Sequence, residues 1–314
     1  MRILTFDDIL SLGIKPEECY QWVDEMIRNK KSSFLPPKTH MNLPNNVFCN
    51  VMPSYVDNSL GSWGGVKVVT RYPNRVPSLD SKILLFDKNT GEVLSLMDGN
   101  WITAMRTGAV AAHSILLLAK SDFNTIGFIG LGNTARATLL VLLSKIDRPI
   151  NIKLYRYKNQ ANTFMKRFDE YSNVTFEVVE DYNEIVSGSD VVVSCVTAFD
   201  QDICDDAAFP KGVLVVPVHT RGFTNCDLFF DKVFADDRGH VDHFKNFDMF
   251  RSFAEVTDVL NGCAPGREND DERILAYNIG VSIHDINFAS MVYSKARDVG
   301  SFIDMKDPKD KFWV

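Results

Sequence analysis

The chain is poor in cysteine: six in 314 residues (Cys19, Cys49, Cys195, Cys204, Cys226 and Cys263), none of them in a Cys-x-x-Cys pair. A chain of this length needs no disulfide scaffold, so scattered cysteines read as reduced thiols in a cytoplasmic protein. Positive charge is also short, with 34 Lys and Arg against 41 Asp and Glu and a net charge of −7. That balance argues against a nucleic-acid surface or an anionic-membrane partner. Small anionic substrates stay open, because a few local cations can hold them. The start of the chain, Met1 to Asp8, has acidic residues where a signal peptide needs an apolar core. The most membrane-like run, Ala109 to Ala119, contains His113 and is too short to span a bilayer. Internal repeats and low-complexity tracts are missing as well.

What is present suits two domains, since single domains mostly run to about 100–200 residues. Residues 1–119 look mixed, with turn signals at Asn45-Asn46 and Asn89-Thr90-Gly91. Ile83 to Asp87 and Glu92 to Met97 read as a hairpin around the second turn. From Thr103, a candidate N-cap, apolar residues recur at helical spacing through Ala119. After Thr125 short β-rich runs alternate with helical stretches: 125–129, 151–155, 174–179, 191–196, 213–218 and 232–235, with helices expected over 133–144 and 161–171. The run Val191 to Val196 is apolar on both faces, as a covered parallel strand requires. The fold class is therefore α/β, a Rossmann-type doubly wound parallel sheet beside a mixed α+β domain. The tail, 271–295, reads as a strand or turn followed by a helix that returns to the first domain.

The strongest motif is Ile126-Gly-Phe-Ile-Gly-Leu-Gly-Asn-Thr-Ala135. It follows a strand, precedes a helix and heads the β/α series, the context a dinucleotide turn requires. Gly130 suits the tight turn, Gly132 lets backbone approach a pyrophosphate, and Ala135 permits close helix–sheet packing. After the second strand stands Tyr155-Arg156-Tyr157-Lys158, without the usual ribose-binding carboxylate. Arg156 could pair with a 2′-phosphate. NAD or NADP is expected, with NADP favoured; a stacking or solvent-facing Arg156 is the alternative.

Two cations stand out in the first part of the chain. Lys67 lies in the apolar run Gly64 to Thr70, on the strand face of Val69, and burying an ammonium is costly unless it is paired. It needs a partner or a ligand, or it snorkels from an edge strand. Arg106, near a helix start, opposes the helix dipole; a bound anion or a structural salt bridge would offset that. His240-Val-Asp-His243, with Asp236 and Asp237, has the residue types of a zinc site, but it falls in a charged connection that reads as a solvated loop, and no metal is expected.

Leu84-Leu-Phe-Asp-Lys-Asn-Thr-Gly91 and Leu96 to Ala109, ending in Arg106-Thr107, resemble a signature block of the ornithine cyclodeaminase and mu-crystallin family. Val51-Met-Pro-Ser-Tyr55, Gly65-Val-Lys67, the dinucleotide turn and Gly280-Val-Ser-Ile-His-Asp285 resemble further blocks in the same order. The resemblance implies that Lys67 and Arg106 bind the amino-acid head of a substrate, Arg106 on its carboxylate. Lys38 falls where relatives often have a carboxylate-binding arginine; it keeps the charge but loses the bidentate fork. Thr107, Asn133, Thr134, Thr197 and Asn278 match cofactor-contacting positions, with Asn278 where serine is common. A homodimer is implied too.

One departure matters. True cyclodeaminases resemble Val-Gly-Gly-Asp after the fifth strand, and that aspartate is their acid/base. Here the chain reads Val218-His219-Thr220-Arg221, and an arginine cannot accept a proton. His219 could exchange protons near neutral pH or be structural, and Arg221 could form a second anion site. The expectation is an NAD(P)-dependent oxidoreductase interconverting a small imino acid (ketimine) and an amino acid by hydride transfer at the α-carbon. Ornithine cyclodeaminase and a non-catalytic NADPH-dependent ligand-binding protein are the alternatives. The expected division is a substrate and dimerisation domain, 1–119 with 284–314, around a dinucleotide domain, 120–283.

Overall fold

The computed structural model describes residues 1–196, 199, 202–218, 228–305 and 310. In chain order these form β1 (Arg2–Leu4), α1 (Phe6–Ser11), α2 (Pro16–Arg28), β2 (Thr39–Leu43), β3 (Val47–Asn58), β4 (Gly61–Arg71), β5 (Leu79–Asp87), β6 (Val93–Asp98) and α3 (Asn100–Leu118). There follow β7 (Thr125–Ile129), α4 (Asn133–Leu143), β8 (Ile150–Tyr155), α5 (Gln160–Lys166), β9 (Val174–Val179), α6 (Tyr182–Ser187), β10 (Val191–Ser194), β11 (Leu214–Pro217) and β12 (Lys232–Ala235). The last elements are β13 (Phe253–Glu255), α7 (Val256–Leu260), β14 (Ile274–Tyr277), α8 (Ser282–Lys295) and β15 (Ser301–Phe302). The chain divides into two compact units, Met1–Ile14 with Ser32–Thr103 and Asp285–Val314, and Lys15–Lys31 with Ala104–His284.

The first unit is built on a seven-stranded sheet ordered β15-β1-β6-β5-β4-β3-β2. Strands β2 to β6 form an antiparallel meander; β1 joins β6 in parallel and β15 closes the edge. Alternation sorts the side chains. Met52, Ser54, Val56, Lys67, Val69, Ile83, Leu85 and Met97 are buried on one face. The later turns of α8 cover that face: a Cβ on Gly65 would lie 2.6 Å from Ile286, and Asn58 donates to Asn287 and Ser290.

The second unit carries an eight-stranded sheet ordered β13-β12-β14-β11-β10-β7-β8-β9, parallel at every pair. Strands β10, β11, β12 and β14 are buried along their whole length, as a sheet covered on both faces demands. One of its cores gathers Ile129, Val192, Val215, Val233 and Leu275 with Phe209 and Phe230. The order reverses between β7 and β10, the switch point where doubly wound sheets bind ligands.

Three details differ from the sequence reading. Helix α3 begins at Asn100, not after Thr103, because the Asp98 carboxylate accepts the Asn100 N–H while Thr103 already bonds back to Gly99. Helix α5 is shorter than expected and ends at Lys166. Residues 15–31 and 104–119 belong to the parallel-sheet unit, so the compact units part at other places than 119 and 284. Helix α2 starts at Pro16 with Glu17 and Glu18 in its first turn, and Glu18 accepts the Lys15 N–H. Its apolar stripe, Cys19, Trp22, Val23, Met26 and Ile27, packs against α4 and α7. Helix α3 has the length and apolarity of a membrane span, but most of it is buried, as befits a core helix.

Candidate active site

The β7–α4 turn has the shape a pyrophosphate needs. Gly130 sits at φ +83°, and a Cβ there would lie 2.9 Å from the backbone of Cys195 and Val196, at the end of β10. Both facts demand glycine. Gly132 is the N-cap of α4, with no side chain bonded into the first turn, and nothing lies within 4 Å of where its Cβ would stand. The helix thus offers open N–H groups and the positive end of its dipole. Asn133 is exposed and Thr134 half-buried beside that opening, while Ala135 is fully buried under it. These residues fit a dinucleotide.

At the end of β8, Tyr155 stacks on Tyr182, ring centroids 3.9 Å apart. The next residue, Arg156, is exposed and pairs with Glu180 at 2.6 Å. The sequence reading did not include that carboxylate.

Arg106 lies on α3 and is 5% exposed. Beneath it passes the turn after β14, where Gly280 adopts φ +80°; a Cβ there would be 2.8 Å from Nη1 of Arg106 and 3.3 Å from Nη2. The Gly280 N–H donates to Oδ2 of Asp236 at 2.9 Å. Burial pushes the Asp236 carboxyl above its ordinary value. Beyond Arg106 come buried Thr107 and then Gly108, whose missing side chain admits α4: a Cβ would meet the Ala137 and Thr138 backbone at 2.5 Å. The arginine-bearing helix is therefore packed directly on the dinucleotide helix. Asn278 is buried too; its Nδ2 donates to Ser114 on α3 and its backbone N–H to Pro217.

In the other unit Lys67 is buried at 1% exposure, with Oδ1 and Oδ2 of Asp285 both 2.8 Å from its Nζ; Asp285 is wholly buried. Its cross-strand neighbours are Met52 and Ile83. So the lysine does not snorkel, and the required partner is a carboxylate from α8. Lys38 stands half-buried before β2. Thr197, His219 and Arg221 lie outside the described residues. His240 is buried rather than in a solvated loop, and its Nδ1 bonds Asp237 at 2.7 Å, whereas His243 is exposed beside Asp242. The two histidines therefore sit in different environments, and no three metal-capable side chains cluster among the described residues.

From sequence, Asp236 stood out only beside a zinc-like histidine pair, and Gly280 and Asp285 only as the ends of a family block; none of the three was given a role at the site. A buried Lys67 called for a carboxylate, but the chain has 41 acidic residues and periodicity does not select one of them.

The model of the ornithine cyclodeaminase/mu-crystallin family matches residues 8–300. The chain belongs to this family. Among its relatives, the N-((2S)-2-amino-2-carboxyethyl)-L-glutamate dehydrogenase of Staphylococcus aureus is 27% identical over 277 residues, covering 81% of either chain. The Delta(1)-pyrroline-2-carboxylate reductase of Bacillus cereus is 26% identical over 256 residues, 75% of this chain and 78% of the relative. The solved structure of a Thermococcus litoralis Delta(1)-pyrroline-2-carboxylate reductase, in complex with NADH and L-proline, is 25% identical. It superposes with a TM-score of 0.86 over 96% of this chain and 100% of that one. Within the ornithine cyclodeaminase/mu-crystallin family, then, the relatives named here are dehydrogenases and reductases.

Proposed function

We propose that the protein is an NAD(P)-dependent oxidoreductase interconverting a small ketimine acid and its amino acid at the α-carbon. The observation that carries this is the direct packing of the Arg106 helix on the helix of the dinucleotide turn, at Gly108. In this reading the parallel-sheet unit binds the dinucleotide, and the other unit makes a dimer contact. Arg106, with Lys38, holds the substrate carboxylate and so orients the α-carbon. Lys67, kept in place by Asp285, donates a hydrogen bond to the nitrogen-bearing group. Thr107, Asn133, Thr134, Thr197 and Asn278 are assigned to the cofactor side. When bound, the nicotinamide supplies or takes the hydride; the chain's own contribution is orientation and charge placement. His219 and Arg221 retain the roles suggested by sequence, a proton-exchanging neighbour and a second anion site.

Several finer points belong to the same proposal. NADP is the favoured nucleotide, because residues 156–158 carry no carboxylate and Arg156 can exchange Glu180 for a 2′-phosphate. A homodimer is supported by the outward face of the antiparallel sheet, where Tyr55, Val66, Val68, Leu84, Phe86 and Leu96 lie uncovered or half-covered. A second copy of that apolar face is its simplest complement. None of the described cysteines is in a disulfide, which is the state expected of a cytoplasmic protein.

The test is an assay of purified protein with NADH and NADPH against Delta(1)-pyrroline-2-carboxylate, proline, pyruvate with ammonia, alanine and ornithine, reading nicotinamide absorbance and ammonia together. Cofactor-dependent reduction of an imino acid is expected. Ornithine conversion with ammonia release and no net absorbance change would assign a cyclodeaminase instead, and cofactor binding without turnover a ligand-binding protein. Size-exclusion chromatography with light scattering checks the dimer.

A further inference from the structure

We infer that Asp236 is a positioning residue: through the Gly280 peptide it fixes the direction of the Arg106 guanidinium. The inference rests on the reading of Arg106 as the carboxylate ligand.

The geometry is a short mechanical chain within one unit. In the parallel sheet β12 pairs with β14, with Ala235 opposite Tyr277, so Asp236 emerges level with the turn that follows β14. Its own N–H donates to Tyr277 O at 3.2 Å. Its Oδ2 accepts the Gly280 N–H at 2.9 Å. The turn is thereby tied to a buried carboxyl group at the end of β12. The peptide so held sits against both terminal nitrogens of Arg106, close enough that even a methyl group would collide.

A turn closed only for folding would not need this arrangement. Gly280 is in the left-handed region, and the acceptor is 7% exposed, where an ionised carboxylate is costly. Lys30 ties down the backbone here: it donates to the Asp236 backbone oxygen and pairs with Asp237 and Glu255. The result is a rigid wall behind the guanidinium, anchored in the sheet. A displacement of about 1 Å in such a group costs roughly 100-fold in rate or affinity, so the wall matters even without touching substrate.

The experiment uses full-length protein with Delta(1)-pyrroline-2-carboxylate as the probe. Asp236→Ala should raise its KM by about tenfold or more, with kcat changed less and the Kd for NADPH within about twofold. Asp236→Asn, which keeps an acceptor for the Gly280 amide, should recover most of the loss. In an Arg106→Lys background Asp236→Ala should add less than about twofold, since both act through one group. If Asp236→Ala does not fold, Gly280→Ala reports instead, with the same rise in KM expected. An unchanged KM in the folded alanine variant, or full additivity with Arg106→Lys, overturns the inference while the functional reading stands. Wild-type protein that binds NADPH but reduces no imino acid removes the functional reading, and this inference with it.

Discussion

The Lys67–Asp285 pair offers the sharpest test of the site. The ammonium is 1% exposed and the carboxylate 0%, with both oxygens 2.8 Å from Nζ. The neighbours across the strands are Met52 and Ile83, so the pair lies against apolar side chains on its own sheet face. Asp285→Ala leaves an uncompensated cation in that setting, which costs about 3–5 kcal/mol. Domains are stable by only about 5–15 kcal/mol, so the variant should show a large fall in its urea midpoint, read by circular dichroism. Replacing both partners, Lys67→Met with Asp285→Leu, removes both charges; such swaps are often neutral or stabilising by about 1–4 kcal/mol. The double variant should therefore regain the lost stability yet have no turnover. That split separates the pair's structural cost from its chemical use. A loss below about 1 kcal/mol in Asp285→Ala would contradict the buried pair, and a double variant as active as wild type would remove Lys67 from the reaction.

Gly132→Val should fold normally, since nothing lies near its missing side chain, yet it should weaken NADPH binding at least tenfold in a fluorescence titration, because the new side chain occupies the phosphate approach. Gly130→Ala should instead lose stability, by about 1–2 kcal/mol from backbone conformation alone, with added cost from the Cys195–Val196 backbone. Glu180→Gln should lower the KM for NADPH relative to NADH by freeing Arg156, and Arg156→Ala should do the reverse. Asp24 is held at about 2, from an ordinary 3.8, chiefly by the hydrogen bond from His113 and also by Arg28, against an opposing effect of burial. A depressed carboxyl stabilises the fold above its unfolded value and loses that contribution as pH falls towards about 2. Asp24→Asn should thus flatten the acid limb of stability below pH 3.8, by about 1 kcal/mol after screening at a partly exposed site.

How much of this was legible in sequence depended on how local the cause was. Glycines at 130 and 132 answer to backbone conformation and the approach of a ligand, and their context is a strand before and a helix after; all of that is written within ten residues. The buried strand β10 announced itself by apolarity on both faces. Helix α2, by contrast, was not anticipated from sequence. Its stripe from Cys19 to Ile27 says that one face is buried, but not against which neighbours, and in the fold it packs on α4 and α7. The N-cap expected at Thr103 failed for a related reason: Asp98, just upstream, captures the helix start first.

From the order of its residues alone, this chain settled its phosphate-binding turn, its parallel β/α series, its family blocks and the cations that stand out in them, because each follows from neighbours in sequence. Only tertiary structure decided what those cations face. Lys67 found its carboxylate 218 positions away, Arg106 its backing peptide at Gly280, and Gly280 its anchor in Asp236. Hydrogen bonds and ion pairs act over about 3 Å of space whatever the length of chain between the partners, so sequence could state that a buried charge needed one and not which residue it would be.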